Sequence, residues 1–208
     1  MKYIPQLINL CATVILLLSF AMISQRRIVS LINLFMLQGL ALVIASVLLG
    51  YATHQNELYV SAALTLVLKV MLIPWLLHVV VRRLNVRWDV ETLINIPTTM
   101  LVGIGLVIFS FSLALPISRL SSSMAGGSLG IALACVLLSF LMMITRSKAV
   151  PQVIGFLSIE NGLIFAATTV TNGMPMIVEF GVALDVLVGV LILGVFMFQI
   201  REQFDSLD

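Results

Sequence analysis

Charge is what this sequence has least of. Of its 208 residues only 10% are Asp, Glu, Lys or Arg, whereas soluble domains carry roughly 25%. So few charges cannot solvate a globule in water, and a mean hydropathy of +1.19 points to lipid as the solvent. The formal net charge of +2 is too small for the basic footprint of a nucleic-acid-binding protein. Cysteine is scarce too: Cys11 and Cys135 each lie in an apolar run with no second thiol nearby. There is no CxxC, no Cys/His cluster and no HExxH, so an iron–sulfur, haem or zinc site within the chain is not expected. Glycine-rich phosphate loops are also missing, and the chain offers no framework for a self-contained enzyme.

What the chain has instead is long apolar runs. A hydrocarbon core of about 30 Å takes roughly 20 helical residues to cross. Runs of that kind occupy 4–23, 28–51, 58–81, 94–115, 128–145, 150–171 and 176–200, the fifth being the shortest. The expected fold is therefore an all-α, polytopic membrane bundle of about seven transmembrane helices. Polar or helix-breaking residues separate the runs: Gln25-Arg26-Arg27, His54 to Glu57, Arg82 to Glu91, Pro116 to Gly127, Arg146 to Lys148, and Asn172 to Pro175. Connections this short make neighbouring helices antiparallel and leave no room for a soluble domain, so residues 1–208 read as one membrane domain.

Cytoplasmic loops are enriched in Lys and Arg, and the loops here sort by parity. Arg26, Arg27, Arg82, Arg83, Arg87, Arg146, Lys148 and Arg201 fall on one side, Lys2 and Arg119 on the other. This expectation places the N-terminus outside and the C-terminus in the cytoplasm. A cleaved signal over residues 1–23 fits less well, because basic charge is heavier after the apolar run than before it.

Against this background the ionisable residues inside the runs stand out. Lys69 lies midway along the third run, Glu160 midway along the sixth with Asn161 beside it, and Asp185 in the outer half of the seventh. Placing each at a helix centre costs about 2.5–3.5 kcal/mol, which demands pairing, protonation or a wet cavity. Interhelical glue is one use for them, though polar contacts in membranes average only ~0.6 kcal/mol. A proton relay is the other, a frequent role of intramembrane Asp, Glu and Lys. Gly181, Asp185 and Gly189 follow i, i+4, i+8 spacing and share a helix face on which small residues admit a neighbour. Pro74 has no N–H for the carbonyl of Val70, which predicts a kink and a free oxygen beside Lys69. His78, one turn beyond Pro74, is either a relay toward the cytoplasm or an interfacial histidine without a task. Gln38 and Asn33 in the second run are candidates for lining the same path by hydrogen bonding.

The remaining features have plainer readings. Gly126 and Gly130 suit close packing at the start of the fifth helix, and the eleven methionines suit adaptable packing. Glu57 and Glu179 fall at outer helix ends, where solvation is cheap. Arg82, Arg83 and Arg87 form a patch suited to lipid headgroups or a partner subunit.

The motifs KVMLIP (69–74), IENG (159–162) and ALD (183–185), followed by a basic C-terminal end, resemble the component E (HyfE-type) membrane subunit of formate hydrogenlyase and related energy-converting nickel–iron hydrogenases. From about residue 128 onward the chain is also similar to the small K-type (NuoK) subunit of respiratory complex I and its counterpart (MrpC) in multisubunit sodium/proton antiporters. On that resemblance residues 1–127 form an N-terminal four-helix extension and 128–208 a three-helix unit. Glu160 then falls about one turn after the first buried glutamate of the K-type subunit, and Asp185 on the second, one methylene shorter. The resemblance implies a subunit in the cytoplasmic membrane of a bacterium or archaeon, beside antiporter-like subunits and coupled to a peripheral hydrogenase arm. The nickel–iron centre and iron–sulfur clusters would belong to those partners and no cofactor to this chain. Glu160, Asp185, Lys69, His78, Gln38 and Asn161 are then the proton-path candidates, with Pro74 as the helix break. Two other readings stay open: an anchoring subunit without ion transport, and a stand-alone small transporter.

Overall fold

A computed structural model describes residues 3–83, 92–120, 125–170, 181 and 184–191. Every long element among them is helical. In chain order these are α1 (Ile4–Ser24), α2 (Ile28–Thr53), α3 (Asn56–Thr65), a π-helical segment (Leu66–Leu72), α4 (Ile73–Arg83), α5 (Ile96–Leu120), α6 (Ala125–Thr145) and α7 (Ala149–Val170). Residues 184–191 are helical as well. Among the described residues six helices are long and apolar enough to cross a membrane, with α3, the π segment and α4 forming one continuous span. The chain is thus an all-helical, multi-pass membrane protein. Of the seventh expected span, 176–200, only Gly181 and 184–191 belong to the described residues.

Helix boundaries follow local chemistry. Pro5 sits in the first turn of α1, where a missing N–H costs nothing. His54 ends α2 in the left-handed conformation with φ 56°, and Gln55 N–H closes back onto the carbonyl of Gly50. The chain thereby reverses within two residues and enters α3 at Asn56. The fourth run extends past its expected end at residue 115: α5 continues through Pro116 to Leu120. The fifth begins at Ala125, earlier than expected, and Gly130 packs against Phe111 and Ala114 of α5 as its spacing suggests.

Two buried apolar clusters hold the bundle. One joins Met22, Ile32, Phe35, Leu77, Leu138, Leu157 and Val188; the other joins Ile15, Leu42, Cys135 and Phe165. Both draw on residues before and after position 128, so the two parts pack as one body. Outside the core, Leu10, Leu17, Met71, Trp75, Leu101 and Ile108 are strongly exposed. An apolar perimeter of this extent suits lipid rather than water.

Among the described elements, α6 packs most extensively against α7. Gly155, Ser158 and Gly162 share a face of α7 pressed onto the α6 backbone, where Ser139 and Ser158 hydroxyls meet at 2.6 Å. Small residues at a membrane helix interface allow such an approach. Gly189 differs from the sequence expectation, since no described atom lies within 4 Å of where its Cβ would stand. Gly181 does meet a neighbour, because a Cβ there would lie 3.1 Å from Oε1 of Glu160.

Arg146 lies in the connection between α6 and α7, as expected, but is not solvated there. It is fully buried, with 1% exposure, and its Nη2 donates to the carbonyls of Met22 and Ile23 at the end of α1. A cation there satisfies carbonyls that have no intrahelical donor and complements the helix dipole. Gln152 Nε2 in turn donates to the Arg146 carbonyl at 2.8 Å, and Leu93 N–H to that of Thr145. Burial lowers the guanidinium pKa, but arginine remains charged at physiological pH. The ends of α1 and α6 and the starts of α5 and α7 are thereby gathered on one side of the bundle.

The α6–α7 contact predicts an asymmetry between two glycines. In Gly162→Ala the new Cβ would stand 2.9 Å from Val136 and 3.3 Å from the Ala132 carbonyl, an overpacking that costs about 1–3 kcal/mol. Thermal unfolding in detergent should show a clear loss for this variant, whereas Gly189→Ala should match the wild type or exceed it.

Candidate functional site

The candidate site begins at a local irregularity in a helix. In the π segment Ile73 N–H reaches back to the carbonyl of Leu68, five residues away, and Pro74 has no N–H to give. The carbonyls of Lys69 and Val70 therefore both lose their usual i+4 donors. The sequence pointed to a proline kink with one free carbonyl; the helix in addition widens into a π segment upstream of the ring, which frees a second one. A proline ring crowds the carbonyl four residues before it, and the wider turn is one way to relieve that. π segments inside α-helices frequently mark functional positions. Gly39 of α2 faces this segment, with its Cβ direction 3.3 Å from Val70 and 3.6 Å from Lys69.

Lys69 points inward from the π segment and is fully buried. Its Nζ lies 3.0 Å from Oδ1 of Asn161, 3.2 Å from Oε1 of Glu160 and 3.6 Å from Oδ1 of Asp185. Three ionisable groups separated by up to 116 positions in the chain thus meet at one point. Glu160 is 6% exposed and Asp185 2%. Both oxygens of Glu160 and Oδ1 of Asp185 lack an aligned hydrogen-bond donor among the described residues, so their compensation is ionic.

On the other side of the ammonium the polar contacts are fully ordered. Lys69 donates to Asn161, Asn161 Nδ2 donates to Oε1 of Gln38 at 3.1 Å, and Gln38 Nε2 donates to Ser19 Oγ at 2.8 Å. Ser19 Oγ closes the series on the Ile15 carbonyl at 2.9 Å. Every link runs in one sense. The cation fixes which end of Asn161 faces it, and that choice fixes Gln38 in turn. An amide has no readily transferable proton, and this arm holds the ammonium in place.

The sequence-derived candidates therefore divide. Lys69, Glu160, Asp185, Asn161 and Gln38 converge. His78 does not join them, because its Nδ1 lies 2.8 Å from the Pro74 carbonyl on its own helix. Asn33 is exposed and faces away from the path suggested for it. Glu57 and Arg82 are exposed as expected; Glu179, Arg87 and Arg201 lie outside the described residues. Ser19 escaped the sequence reading, although a lone hydroxyl inside LLLSFAM was its signal. Among the described residues, no three His, Cys, Asp or Glu side chains converge as a metal site. The groove of about 390 Å³ between α4, α7 and 184–191 has an apolar lining, Gln152 apart, and contains none of the cluster residues.

Removing one member of a buried ion pair costs about 3–5 kcal/mol, because it leaves an uncompensated charge. Lys69→Met should lower thermal stability in detergent by an amount of that order. Neutralising both acids in the same chain, as K69M/E160Q/D185N, should recover most of the loss; a triple variant as unstable as K69M would show that the lysine acts through packing alone.

No family model matches this chain, and no solved structure matches it. Along 203 residues it is 30% identical to the uncharacterized protein Rv0085 of Mycobacterium tuberculosis, in a match covering 97% of this chain and 92% of that protein. Identity at this level over nearly the whole of both chains reaches every helix described above, and the chain belongs to the same family as Rv0085.

Proposed function

We propose that this protein is a non-catalytic membrane-arm subunit of a hydrogenase-like redox complex, of the component E type, and that it contributes a proton-exchanging station to that arm. The observation that carries the reading is the buried Lys69 ammonium facing Glu160 and Asp185. Ionisable groups are expensive at membrane depth, where they commonly mark ion or proton pathways. Support also comes from the position of all three within the KVMLIP, IENG and ALD motifs. In this reading the chain crosses the cytoplasmic membrane seven times, with its N-terminus outside and its C-terminus in the cytoplasm. Antiporter-like subunits lie beside it, and the nickel–iron and iron–sulfur centres belong to the peripheral arm.

Within that arrangement Glu160 and Asp185 exchange the proton while Lys69 offsets the carboxylate charge. Asn161, Gln38 and Ser19 hold the lysine between them. An anchoring role without transport is the second reading, favoured by the same ordered series of hydrogen bonds, which ties α1, α2, α7 and the π segment together.

Mild-detergent purification of the tagged chain, with mass spectrometry of what accompanies it, tests the assignment. Hydrogenase subunits together with antiporter-like proteins are the expected companions; a chain that comes out alone would overturn the assignment. Within an intact complex, Glu160→Gln and Asp185→Asn should each reduce redox-driven proton movement at least tenfold while the subunits still assemble. Loss of assembly with normal turnover in the residual complex would favour the anchor.

A further inference from the structure

The cluster has the geometry of a small cation cage that is already filled. Asn161 Oδ1, Glu160 Oε1 and Asp185 Oδ1 come from two helices and lie 3.0, 3.2 and 3.6 Å around a single point. The occupant of that point is an ammonium tethered to a third helix. Its charge does not cancel the site: two carboxylates and one ammonium sum to −1 when all are ionised, and a net charge buried this deeply is unfavourable. One further positive charge relieves it.

We propose that Lys69 is the residue that determines which ion the cluster carries, its ammonium acting as a built-in plug that refuses metal cations and leaves the remaining charge to a proton. This deepens the proton-station reading, resting on its premise that Glu160 and Asp185 exchange an ion but not on the identity of the surrounding complex. Three observations support it. A hard metal cation needs about six oxygen ligands, and Asn161 Oδ1 is committed to the lysine while its amide nitrogen is committed to Gln38. A metal ion next to the carboxylates would also sit beside the ammonium and be repelled by it. A proton needs no coordination shell, and an O–H on one carboxyl supplies a donor where the buried oxygens of Glu160 and Asp185 lack one.

Removing the plug should create what it prevents. In Lys69→Ala the three oxygens face the space vacated by the side chain, and Asn161 Oδ1 is freed from the ammonium that now occupies it. Thermal unfolding of the purified full-length chain in sodium chloride, compared with choline chloride at equal ionic strength, reads the effect, since a ligand that binds only the folded state raises its stability by mass action. The wild type should unfold at the same temperature in both salts, K69A several degrees higher in sodium, and K69A/D185N again equally in both. Lys69→Gln serves as a second variant should K69A not fold. Equilibrium binding of radioactive sodium to the wild type and to Asp185→Asn tests the same point with Lys69 in place: bound sodium removed by Asp185→Asn overturns the proposal, and no bound sodium is the result expected. A folded K69A indifferent to sodium also overturns it. Failure of the chain to purify with hydrogenase subunits would sink the complex assignment and leave these results standing.

Discussion

The structure depends on one buried ammonium. Lys69 lies where hydration is lacking, and the folded bundle has to replace its water with oxygens. Asn161, Glu160 and Asp185 do so from α7 and the 184–191 helix. The requirement reaches beyond the contact itself: Asn161 must present its oxygen to the cation, so its nitrogen is aimed at Gln38, and Gln38 is aimed at Ser19. A single charge thereby orders side chains on α1, α2 and α7. Hydrophobic packing discriminates weakly among helices in lipid, so a directed polar series of this kind supplies register that apolar surfaces would not.

The two sides of the ammonium are chemically unequal. On the amide side every group has a partner, and the series ends on a backbone carbonyl. On the acid side oxygens are left without donors. Buried unsatisfied groups are costly, and natural proteins tend to accept that cost where a site performs some task. The asymmetry separates a hydrogen-bonded arm from a pair of acids without donors within one cluster. Gln38 and Asn161, candidates for the path when considered as polar residues in apolar helices, are also the side chains that support the lysine.

Backbone geometry and small residues make the convergence possible. The π segment turns Lys69 inward while Met71 and Trp75 remain on the lipid-facing side. Gly39 admits that segment to α2, and Gly181 admits the Glu160 carboxylate to the last helix. At the opposite pole of the design, Arg146 anchors helix ends through carbonyls instead of carboxylates. Two buried cations thus serve different ends: one closes a helix terminus, and the other faces acids.

Much of this was legible in the sequence, for physical reasons that act locally. Apolar run length set the spans because a helix must satisfy its own backbone in lipid, and the insertion cost of an isolated Lys, Glu or Asp made each conspicuous among aliphatic neighbours. Which groups meet was not legible. The pairing of Lys69 with Glu160 and Asp185 depends on how helices far apart in the chain are arranged around one another, and no spacing along a single helix encodes that. Pro74 announced a disturbance, but only the folded helix shows the π segment that accompanies it. The charge of Arg146 was plain, yet its burial follows from the nearness of the α1 terminus. His78 carried a titratable ring in a suggestive position, and only the folded helix shows that ring bound to its own backbone. Sequence determined which residues are costly in a membrane; tertiary structure decided how each cost is met, because compensation for a buried charge comes from whatever the other helices bring within reach.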